Sequence, residues 1–143
     1  MLCFFLLLIS ILIESCFIAF PTYTKYYQGV TLPDSSIAYI ETKPTLFGGA
    51  DVSVVSIDGG GDFLVSGWDG TSKISILPGR HKIKIRYHHE IGNKVMLSDN
   101  DFSTLFIAEA GHIYKVDANV KNGLLVAVIM DLDSGQVVSY QDK

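Results

Sequence analysis

The chain has 143 residues, 48% of them apolar, and a formal net charge of −4. That length leaves room for one core, and the apolar share excludes a disordered chain. With no extended basic region, nucleic acid is excluded as the expected partner.

Residues 2–13 read LCFFLLLISILI, an apolar run broken only by Ser10. The run has the length of a signal peptide's apolar region and is short of the roughly 20 residues that a spanning helix needs. It ends Leu12-Ile13-Glu14-Ser15-Cys16. With an aliphatic residue three places before the cysteine and a small one immediately before it, this stretch resembles a bacterial lipobox. The resemblance implies a lipoprotein-type signal peptide over 1–15 and a diacylglycerol on Cys16. An uncleaved anchor is a second outcome. Cleavage near Ala19 to release a soluble protein is a third, although Phe17 is bulky for such a site. Phe17, rather than Asp, follows Cys16, so the lipobox resemblance implies an envelope lipoprotein facing the periplasm, with the outer membrane favoured. The only two cysteines, Cys3 and Cys16, lie in this leader. A disulfide, a catalytic thiol or a cysteine-held metal is therefore not expected in the folded part.

Residues 16–36 are expected to be a tether. The stretch 21–36, PTYTKYYQGVTLPDSS, carries two prolines and three tyrosines and keeps no period, so the tyrosines are the parts free to pack on the domain. From 37 to 143 short strands are expected between turn signals. The first covers 37–41, and Lys43-Pro44 and Gly48-Gly49 mark a loop. The second covers 51–57, with Val52, Val54 and Ile57 inward and Val55 disturbing the alternation. Asp58-Gly59-Gly60-Gly61-Asp62 is a turn, 63–65 a short strand, and Gly67-Trp68-Asp69-Gly70 another turn.

Residues 72–76 alternate with Ile74 and Ile76 inward, and 81–87 alternate with Ile83, Ile85 and Tyr87 on one face. Between them Leu77-Pro78-Gly79-Arg80 reads as a type II turn, which predicts a β-hairpin. A polar loop is expected over 90–101, a strand over 102–108, a turn at Glu109-Ala110-Gly111, and a strand over 112–120 with Ile113 or Tyr114 inward. Asn122-Gly123 is a strong hairpin signal. Residues 124–130 are continuously apolar, as in a strand buried on both faces; Asp133-Ser134-Gly135 then turns into a last strand over 136–140. The expected fold is all-β: a small antiparallel β-sandwich of seven or eight strands.

Two stretches carry a family resemblance. Ser56-Ile57-Asp58-Gly59, followed by ILPGRHKIKI over 76–85, resembles the PEGA-like modules of bacterial surface proteins. LPGRHKIKIRY, FIAEAGHIYKVDA and VAVIMDLDSGQVV, in that order behind the leader, are similar to a group of uncharacterised proteobacterial lipoproteins. The resemblance covers roughly residues 50–140, implies the fold, and brings no catalytic residues.

Arg80, Lys82, Lys84 and Arg86 are spaced by two, which places them on one strand face. Such a face is either simply solvated or a patch that touches anionic lipid or an acidic polymer. Trp68, in its Gly-flanked turn, is either a contact aromatic or a residue folded over a sheet edge. His88-His89-Glu90 would offer its histidines to opposite faces of a strand. His81, His112 and a carboxylate remain as a metal set, and Asp58, Asp62 and Asp69, or Asp99, Asn100 and Asp101, as oxygen-rich loops for calcium. Asp131 and Asp133 read as turn residues. No catalytic residue and no cofactor are expected, since no nucleophile, metalloprotease or phosphate-loop motif is present. The expected function is that of a non-enzymatic cell-envelope lipoprotein, a binding or structural module contacting another envelope protein or polymer. The alternative is a periplasmic metal- or ligand-binding protein using His81, His112 or the acidic turns.

Overall fold

The computed structural model describes residues 22–42, 50–60, 72–91, 94–97, 100–121 and 124–140. The leader with Cys16, the strand expected over 63–65, and Asp62, Trp68, Asp69 and Asp99 lie outside the described residues. Nine strands are described: β1 (Thr22–Lys25), β2 (Ala38–Thr42), β3 (Ala50–Ile57), β4 (Ser72–Ile76), β5 (Gly79–Ile91), β6 (Lys94–Leu97), β7 (Phe102–Ala108), β8 (Ile113–Lys121) and β9 (Leu124–Asp131), with one 3-10 turn at Asp34–Ser36.

They form two sheets. One has the order β1-β4-β2-β8-β9; in the other, β3 lies on one side of β5, and β6 and β7 share its opposite side. Two half-apolar sheets can each hide a face only against the other, and a small β-sandwich results. Ile40, Ile74, Ile76 and Ile129 from the first sheet and Val54, Ile57, Ile83 and Ile85 from the second are fully buried between them. Each such isoleucine contributes about 1.5–3 kcal/mol by leaving water. Phe106 of β7 meets Tyr114 of β8 edge to face, with ring centroids 5.0 Å apart, and ties the layers at the centre.

The alternation over 72–76 and 102–108 gives β4 and β7 at the expected bounds, and Tyr114, not Ile113, is the residue buried at the start of β8. Asn122-Gly123 lies outside the described residues, and the flanking Lys121 and Leu124 pair across the antiparallel β8–β9 ladder. Val55 marks a β-bulge, since the register with β5 shifts between Val54 and Ser56. The extra residue puts Ser56 opposite Lys84 and Ile57 opposite Ile83.

Several expectations are corrected. Leu77-Pro78-Gly79-Arg80 does not close a hairpin: β4 pairs with β1 and β2, whereas β5 pairs with β3, β6 and β7. The segment is a crossover from one sheet to the other. Gly79 has φ +136, beyond the value near +80° that a type II turn gives its glycine. The polar loop expected over 90–101 contains β6, which pairs with the far end of β5. The strand over 124–130 is not buried on both faces, because β9 is an outer strand of its sheet; Ala127 and Ile129 are buried and their neighbours are half-exposed. The last strand is replaced by two isolated bridges, Met130 with Val137 and Leu105 with Tyr140. The tail thus lies against β9 in one sheet and β7 in the other.

Residues 22–36, expected as tether, belong to the sandwich. β1 pairs parallel to β4, and the Tyr26 hydroxyl donates to the Ile57 carbonyl in the opposite sheet. The β2–β8 pairing is also parallel, and the remaining ladders are antiparallel.

Candidate functional site

Strand β5 sets the chemistry of the outer face of its sheet. Its inward residues Ile83 and Ile85 fix which side is core, so Arg80, Lys82, Lys84 and Arg86 take the other side, as the spacing of two requires. Arg80, Lys82 and Lys84 are exposed. Arg86 is half-buried and already engaged: its Nε and Nη2 donate to the two oxygens of Asp101 at 2.8 and 3.2 Å. The basic stripe is therefore three side chains facing solvent and one holding the start of β7.

Beside the stripe is a hollow of about 560 Å³ lined, among the described residues, by Ser56, Asp58, Gly59, Lys82, Lys84 and Ser103. Its floor is a cross-strand row, since Lys84 is directly opposite Ser56 on β3 and Ser103 on β7. Residues so paired share a face, with Cβ atoms about 4.5–5.5 Å apart. The bulge at Val55 is what brings Ser56 to that face.

Asp58, at the mouth of the hollow, has φ 51, a conformation that Asp tolerates better than most residues. Its Oδ1 accepts the Lys82 main-chain N–H at 2.8 Å, and its Oδ2 lies 2.7 Å from Nδ1 of His81. The other ring nitrogen, Nε2, lies 2.8 Å from the Leu77 carbonyl oxygen. A carboxylate and a carbonyl only accept, so the ring fills both bonds when each nitrogen carries a hydrogen.

His81 and His112 do not share a ligand site. His81 is beside Phe106, Phe106 beside Tyr114 and Tyr114 beside His112, at centroid distances of 5.9, 5.0 and 6.2 Å, so two rings stand between the histidines. His112 instead joins Asp131 and Asp133, with ligand atoms all within 4.8 Å of one another. Pairing of β8 with β9 places Tyr114 opposite Asp131 and so brings these residues together. Asp131 is buried, and its oxygens are in use: Oδ1 accepts the Asp133 N–H, and Oδ2 accepts the Ser134 hydroxyl and His112 Nδ1. Burial alone would raise its pKa, but the Ser134, Asp133 and His112 hydrogen bonds outweigh that and hold it below the usual carboxylate range. Asp131 thus serves the turn and also holds the histidine, while Asp133 gives its main-chain N–H to the turn and keeps its Oδ2 3.8 Å from the same ring nitrogen.

A second concavity, about 230 Å³, is lined by Tyr23, Tyr27, Tyr39, Lys25 and Lys73 among others. Lys25 lies over the Tyr27 ring at 4.6 Å and Lys73 over the Tyr39 ring at 5.7 Å. The Tyr39 hydroxyl donates to Asp34 at 2.7 Å; that bond first, and burial second, push its pKa up to about 12. The sequence reading missed this groove because it treated 21–36 as a tether; the three tyrosines there were the available signal.

β5 continues through His88 and His89 to Ile91. Trp68 lies outside the described residues, as do Asp62, Asp69 and Asp99 of the calcium readings. Compared with known proteins, the chain matches no family model, no curated protein and no solved structure.

Proposed function

We propose that the protein is a non-enzymatic binding module of the cell envelope, held at a membrane through Cys16 and making contact through the outer face of β5. The observation that carries this reading is the exposed row Arg80, Lys82 and Lys84 on a rigid central strand, beside an open hollow. A cationic row on a sheet suits an acidic envelope polymer, an acidic protein surface or anionic lipid. The leader and its resemblance to a lipobox supply the anchor, with the outer membrane as the favoured location. From Cys16 to Thr22, where β1 begins, the chain can reach at most about 20 Å. An anchored domain would therefore sit close to the bilayer.

Metabolic labelling with a palmitate analogue tests the anchor. Label is expected on the wild type and lost in Cys16→Ser; its survival in that variant would sink the lipoprotein reading. Crosslinking in intact cells tests the contact face, where Arg80→Gln with Lys82→Gln is expected to deplete the captured partner.

A second reading, divalent-metal binding, is favoured by the closeness of His112, Asp131 and Asp133. Calorimetry with Zn²⁺ and Ca²⁺ on the full chain decides it: heat that vanishes in His112→Ala supports it, and silence with both ions removes it.

A further inference from the structure

We propose that the hollow on β5 binds a phosphate group, as a monoester or diester, between Ser56, Lys84 and Ser103. The inference rests on the reading of this face as the contact surface, and not on the anchor. Three observations converge on it. First, the ladder registers put a serine on each side of Lys84 in one row, so two hydroxyl donors flank an ammonium on a single face. Second, Ser56 is only 5% exposed and lines the hollow. A serine hydroxyl in the wall of a cationic hollow can donate to an anion that enters it. Third, Lys82 lies one step along the same face as Lys84, giving a second ammonium at the same opening.

Asp58 also lines the hollow, and a carboxylate there would oppose an anion. Its oxygens are turned to other work, however, with Oδ1 on the Lys82 N–H and Oδ2 on His81. Gly59, with φ +73, also lines the hollow.

The ligand class follows from the donors. Two hydroxyls and two ammoniums around one opening suit a tetrahedral group with several acceptor oxygens. A planar carboxylate would leave part of the set unfilled. A free phosphate ester and a phospholipid headgroup offer this same chemistry.

The test uses the full-length protein in a non-ionic detergent. Glycerol phosphate and inorganic phosphate are titrated against it by NMR, following the amides of Gly59, Lys84 and Ser103. Phosphatidylglycerol vesicles, with phosphatidylcholine vesicles as the blank, form a second arm. Saturable shifts at those amides are expected. Lys84→Gln should weaken binding about tenfold and Ser56→Ala several-fold, with Lys84→Arg nearly intact. Lys115→Gln, on the other sheet, should leave it unchanged. Binding in the soluble arm assigns a free ester, and binding only to the anionic vesicles assigns a headgroup; both support the site. No response in either arm overturns it, as does binding that Ser56→Ala leaves untouched or that Lys115→Gln weakens equally, which would be diffuse charge attraction. Cys16 labelling is indifferent to all these outcomes, so a failed site and a failed anchor are told apart.

Discussion

Asp58 and His81 face each other at 2.7 Å across the point where β3 has ended and β5 has just begun. The His81 side chain is only 12% exposed and also holds the Leu77 carbonyl, so one ring links the end of β3 to the crossover between sheets. Asp58→Ala is expected to lower stability by about 1–2 kcal/mol, because it strips His81 and the Lys82 N–H of their acceptor. Asp58→Asn, which tolerates the same backbone, should cost less. A cycle with His81→Ala, followed by urea denaturation, should return a coupling energy of about 1 kcal/mol; additive effects would show that the contact contributes nothing.

The crossover also makes a demand on the backbone. At Gly79 the φ of +136 is open to glycine and strained for other residues. A Cβ built there meets nothing within 4 Å, so any loss comes from the chain itself. Gly79→Ala should destabilise by about 1–3 kcal/mol, read from the urea midpoint at an unchanged denaturant slope.

Thr42 offers a change in the opposite direction. Its Oγ1 is buried with no hydrogen-bond partner, at 1% residue exposure. Thr42→Val keeps the shape and removes the unpaired hydroxyl. The variant should be as stable as the wild type or more stable by about 1 kcal/mol, by thermal or urea unfolding.

Asp131 gives the domain an acid sensitivity. Its native pKa lies below the ordinary value, so the folded protein holds this proton less tightly than the unfolded chain. The stabilisation is present in full above the unfolded value of about 3.9, and it is lost as pH falls through the lower native value. Asp131→Asn should be less stable near neutrality and should lose less on acidification below pH ~4. Urea midpoints measured between neutral and strongly acidic pH check both halves.

Tyr39 sets the alkaline side. Its pKa rises from the ordinary 10.0 to about 12, chiefly through the Asp34 bond and then through burial. The folded state keeps this proton longer than the unfolded chain does. Its contribution is complete below pH 10 and fades as pH climbs towards 12. Burial also raises Tyr26 and Tyr114, so absorbance titration should show several tyrosines ionising late, and Tyr39→Phe should reduce that phase by one residue.

The sequence was most informative where alternation met a clear stop. Ser72-Lys73-Ile74-Ser75-Ile76 before Pro78, and the run from Phe102 to Ala108, gave strand bounds directly. Alternation says which face a residue takes, but not which strand lies beside it. Ile76 and Ile83 could be neighbours in one sheet or face each other across the core, and the same pattern serves both. The crossover was therefore read as a hairpin. For β9, an apolar run cannot show how many neighbours flank it. The candidate site was half legible. The basic stripe on β5 follows from spacing alone, and Val55 signalled a disturbance in β3. Which serine that disturbance turns towards Lys84 depends on the register between strands far apart in the chain, as does the meeting of His112 with Asp131.

The last described stretch of backbone is in contact with both layers. The Val138 N–H donates to the Ile129 carbonyl on β9, while Tyr140 and Leu105 exchange both of their main-chain bonds on β7. Outer strands with unsatisfied main-chain groups invite pairing with other molecules. Proteolytic trimming at Gly135 would bare two sheet margins at once, and self-association, more than unfolding, would be the first sign of the damage.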